Sequence, residues 1–242
     1  CRFADDYAIT DAALDMQQQA MGEEQPRSGR LRLDGLAPQF GADRIGPYEY
    51  RLEAEPLKLQ IGEHLTFKVS ATDNDTVTGP KTGESTLFSL KVVTEEELRT
   101  ELLRREQEQR MEFERLLADQ ENLLVAARAV QAGLRDQAKI PPDVRRELAG
   151  AERRQRLAAG RCEAIADQFE QILAEVANNR LEESEGPIHR RLRSRIIAPL
   201  RSLSAQDIPG AADGLDAVGK YSDEPAERDK LLTSQAEVAR RF

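Results

Sequence analysis

Polar and apolar residues alternate one for one through the first part of the chain. In HLTFKVSAT, Leu65, Phe67, Val69 and Ala71 point one way, while His64, Thr66, Lys68 and Ser70 point the other. YEYRLEA gives Tyr48, Tyr50, Leu52 and Ala54. LKLQI gives Leu57, Leu59 and Ile61, and TLFSLKVV gives Phe88, Leu90 and Val92. A period of two is the mark of a half-buried strand. Residues 8–18 and 29–34 and a stub at Cys1 bring the expected count to about seven. Turn signals at Ile61-Gly62-Glu63, Gly79-Pro80 and MGEEQPRSG separate them. The pattern predicts an Ig- or fibronectin-like antiparallel β-sandwich over residues 1–93.

The period changes at Thr94. In VTEEEL, Thr94 stands as an N-cap and Glu97 as its capping-box partner. Val93 and Leu98 are placed for a hydrophobic staple across the cap. Glu95 and Glu96 suit the positive end of the helix dipole. A helix is expected to about Gln137, with a seam of Phe113, Leu116, Gln120, Leu123, Ala127, Val130 and Leu134. The turn AKIPPD follows. A second seam then runs through Val144, Leu148, Ala151, Gln155, Ala158, Cys162, Ile165, Phe169, Ile172 and Val176. Spacings of three and four held this long predict a coiled-coil-like antiparallel hairpin over residues 94–181, each helix with one narrow apolar stripe. Residues 182–242 read as short helices packed on one end of it. The first is expected from about Pro187 to Ser204 with a break at Pro199, the next from about Asp207, and a last one from Pro225.

Charge and composition narrow the function. Charged residues make up 33% of the chain and aromatics 5%, with no Trp, which suits long solvent-washed helices. The net charge of -9 is spread over both parts. Before Thr94 there are 10 basic and 15 acidic residues; after it there are 25 and 29. No concentrated basic face favours nucleic acid. The one cationic cluster is His189, Arg190, Arg191, Arg193, Arg195 and Arg201. It surrounds its helix and lies beside Glu182, Glu183 and Glu185, so ion pairing is expected there. No apolar run is long enough to cross a membrane. Any membrane attachment is therefore expected through flanking segments. The opening CRF reads as the tail of a strand, and the chain ends inside a helical pattern. Both suggest an excerpt of a longer protein, although Cys1 also fits a lipid-bearing residue.

Candidate chemistry is sparse. Asp73-Asn74-Asp75 ends a strand and offers alternate carboxylates, the oxygen ligands calcium takes. The same residues also close tight turns by bonding their own backbone. Asp5 and Asp6 join a calcium set only if they share that end of the sandwich. Cys1 and Cys162 form no metal or redox motif, and Cys162 sits in the seam as a small apolar residue. The two histidines, His64 and His189, lie in no catalytic motif. No catalytic residue and no cofactor is expected, apart from the calcium reading.

The order DDYAIT, LKLQIGEHLTFKVSATDND and TGPKTGESTLFSLKVVTEEEL resembles the Ig-like module of large membrane-anchored bacterial proteins of unknown function, abundant in planctomycetes. That family's pattern runs from Asp-Asp-Tyr-Gly to Val-Val-(Thr/Ser)-x-Glu-Glu-Leu, and Ala8 stands in place of its Gly. The likeness covers residues 4 to 105. It implies an extracytoplasmic segment of an envelope protein behind an N-terminal anchor, and it carries no catalytic residues. A non-enzymatic spacer and docking surface for protein partners is the expected role, with self-association through the seams as one form of it. A calcium- or glycan-binding sandwich and a signal relay through the Val93–Leu98 junction are the alternatives.

Overall fold

The computed structural model describes residues 2–3, 9–20, 25–33, 46–47, 52–53, 55–134, 139–183 and 185–220, together with 233 and 238. The protein is α+β and divides into two compact units, Cys1–Leu98 and Arg99–Phe242.

The first unit holds an open antiparallel sheet of five strands and a separate two-stranded ladder. The ladder pairs β1 (Arg2–Phe3) with β4 (Gly46–Pro47). In the larger sheet β2 (Ile9–Gln19) lies between β3 (Arg27–Arg32) and β5 (His64–Asp73). The far side of β5 pairs with β6 (Thr82–Glu84) near its end and β7 (Phe88–Lys91) near its start. Between β6 and β7 the Ser85 hydroxyl accepts the Val69 N–H at 2.9 Å, and the Ser85 N–H donates to the Val69 carbonyl at 2.8 Å.

Register places the alternating residues on opposite faces. Leu14 pairs with Leu31 and Val69, Met16 with Phe67, and Phe67 with Phe88. Ile9, Ala12, Leu14, Leu33 and Val69 form the core, with Leu31, Leu52 and Phe67 packed against it. Phe67 and Phe88 stack with ring centroids 5.4 Å apart. The other face is ionic: Arg30 meets Asp11 and Asp15, Arg32 meets Asp11, and Lys68 meets Glu84. Such half-exposed pairs contribute roughly 0.2–1 kcal/mol each, so burial of the apolar face dominates.

Four details depart from the sequence reading. The strand expected at 57–61 is a 3-10 turn, Glu55–Leu57, followed by Lys58 at φ 50. A left-handed residue cannot continue an extended strand, and Ile61 is left exposed. Phe88 and Leu90, expected to be inward, are 48% and 52% exposed. The loop after Asp73 contains the short strand β6, which its Thr-Gly-Glu sequence does not announce. Of the strand expected at 48–54, only 52 and 53 lie within the described residues, and neither is in a strand.

Three residues, 92–94, separate β7 from α1 (Glu95–Leu134). In the second unit it lies antiparallel to α2 (Pro142–Asn178), because successive partners descend along α2. Arg105 bonds Glu175 at 2.5 Å, Arg161 bonds Glu112 at 2.8 Å, and Gln155 bonds Gln120 at 2.9 Å. The seam residues Leu116, Gln120, Leu123, Ala127 and Leu134 are buried, while Phe113 and Val130 are half-buried. On α2 Ala166 and Leu173 are buried beside the expected seam. The narrow single stripe expected there is therefore too narrow, because α2 packs on two neighbours.

The second neighbour is a continuous helical path: α3 (Pro187–Leu192), a π-turn at Arg193–Ile197, α4 (Ala198–Ser202), a second π-turn at Leu203–Asp207, and α5 (Ile208–Lys220). Every junction residue keeps right-handed helical angles. Each π-turn ends two residues before an interior proline. Ala198 N–H donates to the Arg193 carbonyl before Pro199, and Ile208 N–H donates to the Leu203 carbonyl before Pro209. Proline lacks a donor and its ring crowds the carbonyl four residues back; a widened turn relieves both. The breaks expected at Pro199 and Asp207 are thus bulges within one path. That path touches α2 from α3 through α5, along its length rather than at one end. Leu215 and Val218 join Ala127, Leu134, Ile140 and Leu148 in one core. The helix expected from Pro225 lies outside the described residues, apart from helical positions 233 and 238.

Burial separates two leucines of the sheet, Leu14 at 5% and Leu90 at 52% exposure. Leu14→Ala is expected to cost about 2–4 kcal/mol in urea denaturation and Leu90→Ala about 1 kcal/mol. Equal losses would show that the β7 end of the face is covered as fully as its centre.

Candidate functional site: the acidic loop and the strand-to-helix junction

The loop after β5 is built around two buried carboxylates, Asp73 at 4% and Asp75 at 2% exposure. Asp73 Oδ1 accepts the N–H of Asp75 at 3.0 Å and of Lys81 at 2.9 Å. Asp75 Oδ1 accepts the N–H of Val77 at 2.7 Å and of Thr78 at 3.1 Å. Asp75 Oδ2 accepts the Thr78 hydroxyl and lies 3.3 Å from Lys81 Nζ. An ionised carboxylate has about four lone-pair sites, and Asp75 uses all of them on donors from its own loop. A cation at Asp75 must displace one of those donors. The exposed Asn74 stands between the two aspartates. Asp5 and Asp6, the further ligands of the calcium reading, lie outside the described residues. Among the described residues no group of three or more His, Cys, Asp or Glu side chains gathers in metal-binding geometry.

The same bonds fix the charge on Asp75. The Thr78 hydroxyl, then the N–H groups of Val77 and Thr78, hold its carboxyl far below the usual carboxylate range, against the opposing effect of burial. These donors stabilise the anion. Gly79 closes the loop at φ 95, where a side chain would be strained.

A third buried carboxylate, Glu63, lies just before the start of β5 and is not evident from alternation. It accepts the Gln60 N–H at 2.9 Å and the Gln18 side chain at 2.8 Å, and both hold its carboxyl below the ordinary value. Only the Gly62 turn signal beside it hinted at the position. β5 is thus pinned at both ends by acidic side chains.

At the junction, Thr94 Oγ1 accepts the Glu97 N–H at 3.1 Å, and Glu97 Oε2 accepts the Thr94 N–H at 2.9 Å. This reciprocal pair satisfies two donors at the start of α1, and a cap of this kind is worth about 1 kcal/mol. The backbone bond from Thr94, then its hydroxyl, lowers the Glu97 carboxyl. Val93 and Leu98 are half-buried on either side.

The basic segment is largely engaged. Arg191 bonds Glu106 at 2.9 Å, Arg201 bonds Asp167 and Glu170, and Arg190 donates to the Glu185 carbonyl. Glu182 accepts the N–H groups of Ile188 and His189 at the start of α3. A Cβ on Gly186 would fall 2.5 Å from the Glu182 carboxylate, so glycine leaves room for that contact. Arg193 and Arg195 are exposed, His64 is exposed and His189 half-buried. Cys162 is fully buried with its Sγ 3.4 Å from the Leu200 carbonyl, and burial pushes its thiol up to about 11. A thiol so raised is not a nucleophile near neutral pH. The cleft beside Asp119, Leu123, Arg154, Leu157 and Arg161 places no nucleophile against a base, and Arg161 is bound by Glu112 and Asp119.

A depressed folded-state value means that Asp75 stabilises the fold above the unfolded carboxylate range and loses that effect as the pH falls toward its own titration. Asp75→Asn is therefore expected to lower Tm at pH 7. It should also flatten the acid side of the Tm–pH profile below about pH 4. An unchanged profile would show that Asp75 does not hold the loop.

No known family, curated protein or solved structure matches this chain.

Proposed function

We propose that this chain is a non-enzymatic spacer and docking segment of a bacterial envelope protein, lying outside the cytoplasm. The observation that carries the proposal is the half-exposed apolar edge at Phe88 and Leu90, on the same face as the buried core of the sheet. Exposed apolar side chains continuous with a core mark a contact surface more strongly than scattered ones. The resemblance of residues 4 to 105 to envelope Ig-like modules supports the location. Among the described residues no helix is long and apolar enough to cross a membrane, so attachment falls to other segments.

On this reading the β1–β4 ladder belongs to the second layer of an Ig-like sandwich. Leu52, packed against the core of the larger sheet, supports that layer. The burial of α1 residues at intervals of three and four supports coiled-coil packing of α1 and α2. The α1 helix alone, 40 residues at about 1.5 Å each, extends about 60 Å. Large exposed apolar residues on the helices, Met111, Val125 and Leu157, offer further contact points.

A photoreactive amino acid at Leu90, introduced into the protein in its source cells, tests the reading. An adduct with an envelope protein is expected, with none from the same group at Lys68 on the ionic face. Protease added to spheroplasts should also degrade the segment. Protection of the segment while the cells stay sealed, or equal labelling from both faces, would overturn the proposal.

A further inference from the structure

Gln120 is the one polar residue buried in α1, and Gln155 is the one polar residue buried in α2. Both are 0% exposed and they bond each other, Gln155 Nε2 donating to Gln120 Oε1 at 2.9 Å. The bond leaves Gln120 Nε2 and Gln155 Oε1 without partners. Buried amide atoms in that condition weaken a fold, and a leucine pair of similar volume removes the deficit.

We infer that this layer is an alignment lock, which sets which residues of α1 face which residues of α2 and does so at the expense of stability. The other buried positions of the seam are apolar: Leu116, Leu123 and Ala127 on α1, and Leu148, Ala158 and Ile165 on α2. Apolar layers exchange partners at small cost, because a leucine packs against a leucine or an alanine in either alignment. Slide one helix by a heptad, and both carboxamides lie against hydrocarbon with all their hydrogen-bonding groups unmet. The ion pairs Arg105–Glu175, Arg161–Glu112 and Arg161–Asp119 also join the two helices, but they are partly exposed, and such pairs contribute little each. Among the buried layers it is the Gln–Gln bond that separates the observed alignment from its neighbours, in the way a lone buried polar residue selects register in a coiled coil. The connection is a weaker constraint. Seven residues, 135–141, separate Leu134 from Pro142, enough chain for the turn to form at a different place.

The test is Gln120→Leu/Gln155→Leu in the whole chain. Cys1→Ser and Cys162→Ala form the background, and spin labels are attached through Glu108→Cys and Gln171→Cys, both exposed. The lock predicts that Tm rises by about 3–10 °C. It also predicts that the single label distance of the parent becomes two populations, differing by up to about 10 Å, the length of one heptad of helix. Gln155→Leu alone, which strands Gln120 in every alignment, should lower Tm and, having lost the bond that selects the alignment, should also show two distances. A double variant that melts below the parent, or that holds the parent's single distance, overturns the inference. So does a single variant that melts as high as the parent.

Discussion

A polar atom taken out of water without a partner costs free energy, and that cost explains most of the specific geometry of this chain. Its cores are made from aliphatic residues with few aromatics, and they offer little shape to hold the elements in one arrangement. Hydrogen bonds from a few buried side chains supply the missing definition. Glu63 and Asp73 fix the two ends of β5, Asp75 closes the loop beyond it, and Ser85 carries the backbone from β6 to β7. In the helical unit the same part is played by one amide pair.

This accounts for the character of the acidic loop. A calcium site keeps its carboxylate oxygens turned toward a common centre and away from N–H groups. Here they turn toward the backbone of their own loop, so the negative charge holds the chain's path. The resulting turn delivers the chain from β5 back to the same edge, where β6 and β7 take up pairing. Phe88 and Leu90 are thereby placed on the apolar face but at its margin, where the neighbouring strands cover them only in part.

Much of this was legible in the residues, for identifiable reasons. Alternation in HLTFKVSAT and the three-four spacing from Leu116 to Leu134 each report one face of one element, and one face is what burial selects. The box at Thr94 and Glu97 is a local bond between residues three apart, so sequence holds all the information it needs. The strand expected at Leu57, Leu59 and Ile61 fails because alternation does not reveal a left-handed residue at Lys58. The π-turns were read as breaks because proline announces a missing donor but not how the backbone accommodates it. The burial of Glu63 and the pairing of Gln120 with Gln155 depend on neighbours distant in sequence. A seam glutamine looks the same whether its partner is present or not.

The carboxylates of the loop are committed to the fold, Asp73 through Oδ1 and Asp75 through both oxygens. The most direct measurement is the carboxyl 13C chemical shift of Asp75, followed against pH and then against added calcium. A carboxylate held by its own loop is expected to stay ionised well below the ordinary aspartate range and not to respond to millimolar calcium. Titration at the value of a free aspartate, or a saturable calcium-dependent shift, would contradict that commitment.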